Sequence, residues 1–174
     1  MILYASDAQN ANSSGGLDSL IADAASAKAL EAALDSFIGE SPSQLKGQVW
    51  DNIRANFTAY KEICAKRAKV ANDLYEAIRE GNQVLIDYMN SGGEDKADTD
   101  EIPKLEAEIS RLKSLMYNET SKKDDKSSRP DYSSEIAELE RKKDWLKRLP
   151  SADGSASGCV SGFTSINFVE NGIK

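Results

Sequence analysis

The feature that most constrains this chain is a stripe of apolar residues that keeps its phase for nearly forty positions. It runs Trp50, Ile53, Phe57, Tyr60, Cys64, then Ala71, Leu74, Ile78, then Leu85 and Tyr88, in steps of three and four with Arg67 and Gly81 standing at the two missing places. A mean step near 3.5 belongs to a coiled-coil seam rather than to the broad apolar face of a globular helix. The spacing therefore predicts one helix from about residue 42 to 90, roughly 70 Å long at about 1.5 Å per residue. Such a rod cannot bury its own stripe, so the sequence demands cover from other helices.

Upstream, Leu17, Leu20, Ile21, Ala24, Ala27, Leu30, Leu34 and Phe37 recur at helical spacing within the alanine-rich run "IADAASAKALEAAL". Alanine raises helix propensity and keeps the side chains short, which lets a partner helix come near. Gly39 is read as a left-handed cap at the end of this helix, and Ser41-Pro42-Ser43-Gln44 as a capping box that opens the next. The fold class that follows is all-α: a long antiparallel helical hairpin over 17–90. Its first arm covers about half of the second, leaving the rest to the C-terminal helices or to another molecule.

Beyond a glycine-and-charge linker at 91–100, Ile102, Leu105, Ile109, Leu112 and Met116 mark a third helix. Ile136, Leu139, Leu146 and Leu149, with Trp145 beside the seam, mark a fourth that Pro150 stops. These form a second, shorter and more charged helical pair over 101–149, interrupted by a serine- and charge-rich mobile loop at 118–134. Residues 1–16 read as disordered. The tail 150–174, with its alternating "FTSINFV", reads as flexible or as ordered only on binding.

Composition narrows the chemistry. There is no histidine, and the two cysteines, Cys64 and Cys159, are far apart, so neither a zinc site nor a histidine-based catalytic pair is expected. No catalytic residue, metal or cofactor is assigned, and no small-molecule substrate. A net charge of −7 argues against nucleic acid and anionic membranes as partners. The amino-terminal apolar run is too short for a Sec signal or a membrane span.

Gly47 is anomalous, because a glycine inside the predicted second helix costs about 1 kcal/mol relative to alanine. Two readings stand: it admits the close approach of another backbone or of an aromatic ring, or it is a tolerated surface glycine near a helix end.

The stretch "LKG" at 45–47, at the turn of an alanine-rich hairpin and followed by "QVWDNIRANFTAYKEI", resembles the Leu-x-Gly element of LXG-domain proteins. It is similar also to the small Trp-x-Gly helical hairpins exported by type VII secretion systems of Gram-positive bacteria, although Trp50 is displaced from the Trp-x-Gly place. The resemblance covers roughly residues 17–90 and is carried by Leu45 and Gly47. It implies a non-enzymatic protein that pairs side by side with a helical partner, as a hetero- or homodimer. It further implies a complex presented to the secretion machinery, cytoplasmic before export and secreted without a Sec peptide. An aromatic followed four residues later by an acid, common as an export signal in such partners, is missing: Tyr75 is followed by Arg79 and Tyr132 by Ile136. The signal then belongs to a partner, or this is not the signal-bearing subunit. The expected partner-binding residues are Leu45, Gly47, Trp50, Ile53, Phe57, Tyr60, Leu74 and Ile78. The competing reading is a cytoplasmic coiled-coil adaptor or chaperone-like scaffold unrelated to secretion, which the same physics would serve.

Overall fold

The computed structural model describes residues 1–13, 15–40, 45–120 and 131–161, and they are mostly helical. In chain order the elements are β1 (Ile2–Tyr4), α1 (Ala5–Ala11), α2 (Gly15–Glu40), α3 (Gln48–Gly92), β2 (Lys96–Asp98), a 3₁₀ turn at Thr99–Glu101, α4 (Ile102–Thr120), α5 (Ser133–Lys147) and α6 (Leu149–Ser161). The long helix demanded by the stripe is present: α3 is unbroken for 45 residues. Its interior lacks proline and is rich in Ala, Lys, Arg and Glu, all of them good helix formers. Gly93, at φ +67°, stops it in the left-handed conformation, with its N–H on the Met89 carbonyl at 3.3 Å. Gly39 plays no such part, because α2 runs on to Glu40.

The chain divides into two compact units. The first is Met1–Asn10 with Asn82–Ala156; the second takes Ala11–Gly81 and continues from Ser157.

In the first unit, residues expected to be disordered or linking are ordered. β1 and β2 pair antiparallel with Ile2 opposite Asp98, Leu3 opposite Ala97 and Tyr4 opposite Lys96. The Met1 amino group donates to Thr99 Oγ1 at 2.8 Å, and the Asp98 carboxylate accepts from Asp100 N at 3.0 Å, capping the 3₁₀ turn. Within the 1–16 expected to be disordered, Ile2–Ala11 form β1 and α1, and the 91–100 expected as a linker contains β2. Each three-residue strand is too short to announce itself in sequence, and the two order each other across more than ninety positions.

The same unit holds the main core, built on Ala8, Met89, Ala97 and Leu146 around a Tyr88–Trp145 pair. The two rings stack at 5.1 Å and 11°. Tyr88 Oη donates to the Trp145 carbonyl at 3.0 Å, and Trp145 Nε1 donates to the Tyr88 carbonyl at 3.1 Å. Trp145 thus lies at the centre of this core rather than beside a seam. Burial pushes the Tyr88 phenol up to about 12, against a smaller downward pull from Arg148. The end of the α3 stripe at Tyr88 is therefore covered from within the chain, by α5.

α4 and α5 pack together through Ile109, Leu112 and Ile136. Lys113–Glu140 at 2.7 Å and Lys147–Glu106 at 2.9 Å tie them in opposite chain sense. Each lysine holds its glutamate below the ordinary carboxylate range. Pro150 does not end the helical run: α5 closes at Lys147, and α6 starts at Leu149 with Pro150 in its first turn, where no N–H is needed. The tail is accordingly helical to Ser161, while "FTSINFV", the centre of the 118–134 loop and the Ser41–Gln44 capping box lie outside the described residues.

Candidate partner-binding surface

The second unit contains α2 and α3 up to Gly81, and among the described residues its buried side chains are mostly small: Ala24 and Ala27 on α2, Cys64, Ala68, Ala71 and Ala77 on α3, with Leu17 larger. Contacts between the helices run in opposite chain sense. Asp23 pairs with Arg67, Asp35 with Lys61, and Phe37 meets Phe57 edge-on at 5.0 Å and 69°. The hydrogen bond from Arg67 holds the Asp23 carboxyl low and raises the guanidinium in turn; Asp35, with Glu31 adding to it, raises the Lys61 ammonium.

Gly47 is not inside a helix. It is the residue before Gln48, and its carbonyl accepts the Asp51 N–H at 3.1 Å, the first bond of α3. Its φ of +113° is the reason for glycine, since that region burdens any residue with a Cβ. A Cβ built there would meet nothing within 4 Å, so the close-approach explanation does not hold within this chain. Arg54 fixes the entry: its Nη2 donates to the Leu45 carbonyl at 2.7 Å and its Nη1 to Asp51 Oδ1 at 3.1 Å.

The other expected binding residues divide. Trp50, Ile53, Phe57, Leu74 and Ile78 are half-buried, as is Leu45, while Tyr60 is 60 % exposed. The covered line on α3 passes through Phe57, Lys61, Cys64, Ala68 and Ala71, also in steps of three and four; it keeps the expected Phe57, Cys64 and Ala71 and departs at Lys61 and Ala68, each one residue past the expected Tyr60 and Arg67 places. Half-buried Lys61 takes the place expected of Tyr60, and its Nζ donates to Asp35 Oδ1.

Those two departures leave a second apolar line outward. Seven residues are two turns less about 20°, so residues seven apart share a face. From Asp23 the same flank of α2 carries Leu30 and Phe37; from Arg67 the same flank of α3 carries Tyr60 and Ile53. Leu30 is 54 % exposed, Phe37 42 %, and Val49, four residues before Ile53, 70 %. Leu30 and Phe37, expected on the covered side, are thus exposed, and Val49 lies outside the expected stripe. The recurrence Val49, Ile53, Tyr60 beside Trp50, Phe57, Cys64 was the available sign of a second line.

Among the described residues no helix is long and apolar enough to cross a membrane. Comparison with protein-family models, curated proteins and solved structures finds no match to this chain.

Proposed function

We propose that this chain is a non-enzymatic helix-pairing protein of a Gram-positive type VII secretion system, exported or acting as the targeting partner of a secreted effector. In this reading α2 and the first part of α3 form a long antiparallel hairpin, as the opposed Asp23–Arg67, Asp35–Lys61 and Phe37–Phe57 contacts suggest. The observation that carries it is the exposed flank of Leu30, Phe37, Val49 and Tyr60. Large apolar side chains left exposed on one flank are a feature of interaction surfaces. Leu45 and Gly47, at the entry to α3, support the LXG-like assignment by type and position. In this reading the complex assembles in the cytoplasm before export.

The test is co-expression with the small helical proteins encoded beside this chain, followed by affinity capture and native mass spectrometry. A stoichiometric complex that Leu30→Asp with Tyr60→Asp disrupts is expected. A chain that stays monomeric beside every such neighbour contradicts the proposal.

A further inference from the structure

In an antiparallel pair of strands, the backbone groups of alternate residues face the partner and those between face away. The Thr99 N–H donates to the Met1 carbonyl at 3.0 Å and the Ala5 N–H to the Asp95 carbonyl at 2.9 Å. Met1 and Ala5 therefore turn toward the β2 side, and so does Leu3, opposite Ala97. The N–H groups of Ile2 and Tyr4 and the Ile2 carbonyl point the other way. Among the described residues no strand lies on that side of β1. The edge is open to solvent as well, with Ile2 51 % and Tyr4 45 % exposed.

The two edges of this small sheet are protected unequally. Folded proteins blunt a free edge with charge or proline. On β2 the residues whose backbone faces outward are Lys96 and Asp98, whose side chains pair at 2.7 Å. On β1 they are Ile2 and Tyr4, and the strand Ile-Leu-Tyr has no charge and no proline. Its β-branched and aromatic residues favour further pairing.

Backbone geometry requires an extended occupant, and preorganisation selects which one. A flexible segment must be ordered residue by residue before it can bond to an edge. β1 of a second copy is already held extended by its own β2, and it presents the same donors and acceptors. Laid antiparallel about a twofold axis at Leu3, each Ile2 faces the mate's Tyr4 and exchanges backbone hydrogen bonds with it. The same two side chains then meet as an aromatic–aliphatic cross-strand pair, twice by symmetry, and no like charges are opposed within the strands.

We infer that the outer edge of β1 docks β1 of a second copy of this chain, joining two two-stranded sheets into one of four strands. It does not rest on the pairing function proposed above, whose flank belongs to the other compact unit.

Strands this short make an interface below about 1,200 Å², the class of weak, transient association, so the dimer is expected only at high concentration. The assay is sedimentation equilibrium of the full chain from about 10 µM to about 1 mM. Leu30→Asp with Tyr60→Asp serves as the background, so that the α2–α3 flank does not contribute. Monomer should give way to dimer across this range. Each copy carries a net charge of −7, so dimerisation should strengthen as salt rises from about 50 to about 500 mM. Tyr4→Pro removes an outward N–H without touching the backbone groups that face β2, and should weaken dimerisation by at least about tenfold. Tyr4→Val keeps that N–H and should weaken it by less than about threefold. A further readout needs no variant at Tyr4: exchange of its amide should slow as concentration rises, while the Leu3 amide, turned toward Ala97, stays protected throughout.

A chain still monomeric at the highest concentration, equal effects of Tyr4→Pro and Tyr4→Val, or a Tyr4 amide whose exchange ignores concentration overturns the inference. If such a chain nevertheless captures a helical neighbour, the pairing function stands and the β1 edge falls. If the β1 dimer forms but no helical neighbour is captured, the edge stands and the secretion reading falls.

Discussion

Replacing Gly92 with alanine sets two effects of opposite sign against each other. Gly92 is the last residue of α3 and its φ is not in the left-handed region, so helix propensity alone predicts that Gly92→Ala stabilises by about 1 kcal/mol. The packing predicts the reverse. A Cβ on Gly92 would lie 2.1 Å from Trp145 Cε2, 2.4 Å from Cζ2 and 2.6 Å from Nε1, all within the indole. That ring is 3 % exposed, stacked on Tyr88 and bonded through Nε1 to the Tyr88 carbonyl, so it cannot swing aside freely. Displacing it forfeits a hydrogen bond of about 1 kcal/mol and a ring contact of about 0.5–1.5 kcal/mol, and adds an overpacking strain of about 1–3 kcal/mol. The net expectation is a loss of roughly 2–4 kcal/mol. The assay is urea unfolding in a Trp50→Phe background, where Trp145 is the only remaining indole. The variant should show an earlier midpoint and red-shifted native emission. A Gly92→Ala chain as stable as its parent, with unchanged emission, refutes the seating of the indole on Gly92.

Tyr88→Phe should weaken the fold by about 1 kcal/mol near neutrality through the lost bond to Trp145. Because the folded phenol titrates at about 12 rather than 10.0, its contribution is complete below pH 10 and declines as pH rises from there, by about 2–3 kcal/mol at most. The stability difference between parent and Tyr88→Phe should therefore reverse in alkaline denaturant titrations, and a constant difference from pH 8 to 12 counts against the buried phenol. Gly47→Ala should cost about 1–2 kcal/mol from backbone strain although the added methyl meets nothing; an unchanged unfolding midpoint speaks against the positive φ. Glu106 and Glu140 are held below their ordinary range by Lys147 and Lys113, so their stabilisation is present above the unfolded carboxylate pKa and is lost as pH falls through the folded one. Melting curves between pH 6 and 2 should flatten in Lys113→Met with Lys147→Met, and an identical acid dependence in parent and variant contradicts this.

Parts of the fold were legible because a single helix face is a local pattern. Ile109 and Leu112 read as buried from their spacing, and are; the continuity of α3 followed from a stripe that never loses phase. β1 was not legible, since three residues carry no usable period and their order comes from Lys96–Asp98, remote in sequence. Gly92 and Trp145 illustrate the same limit. The glycine looked like the start of a linker, and only the indole resting on it explains why no side chain is present.

The candidate surface failed to be legible for a different reason, and the reason bears on function. On α3 the lines through Tyr60 and through Lys61 satisfy the same 3.5-residue period, so hydrophobicity cannot choose between them. What separates them is the placement of opposite charges on α2: Asp35 meets Lys61 at one border of the seam and Asp23 meets Arg67 at the other, and Tyr60 is left outside the bracket. On α2 the difficulty is sharper. Alanine fills both the covered and the outward lines, which erases the contrast that amphipathic reading needs, and the remaining information lies in where charge is absent. Ala24 and Ala27 are buried while Ala25 and Ala29 are exposed, though nothing in their chemistry distinguishes them.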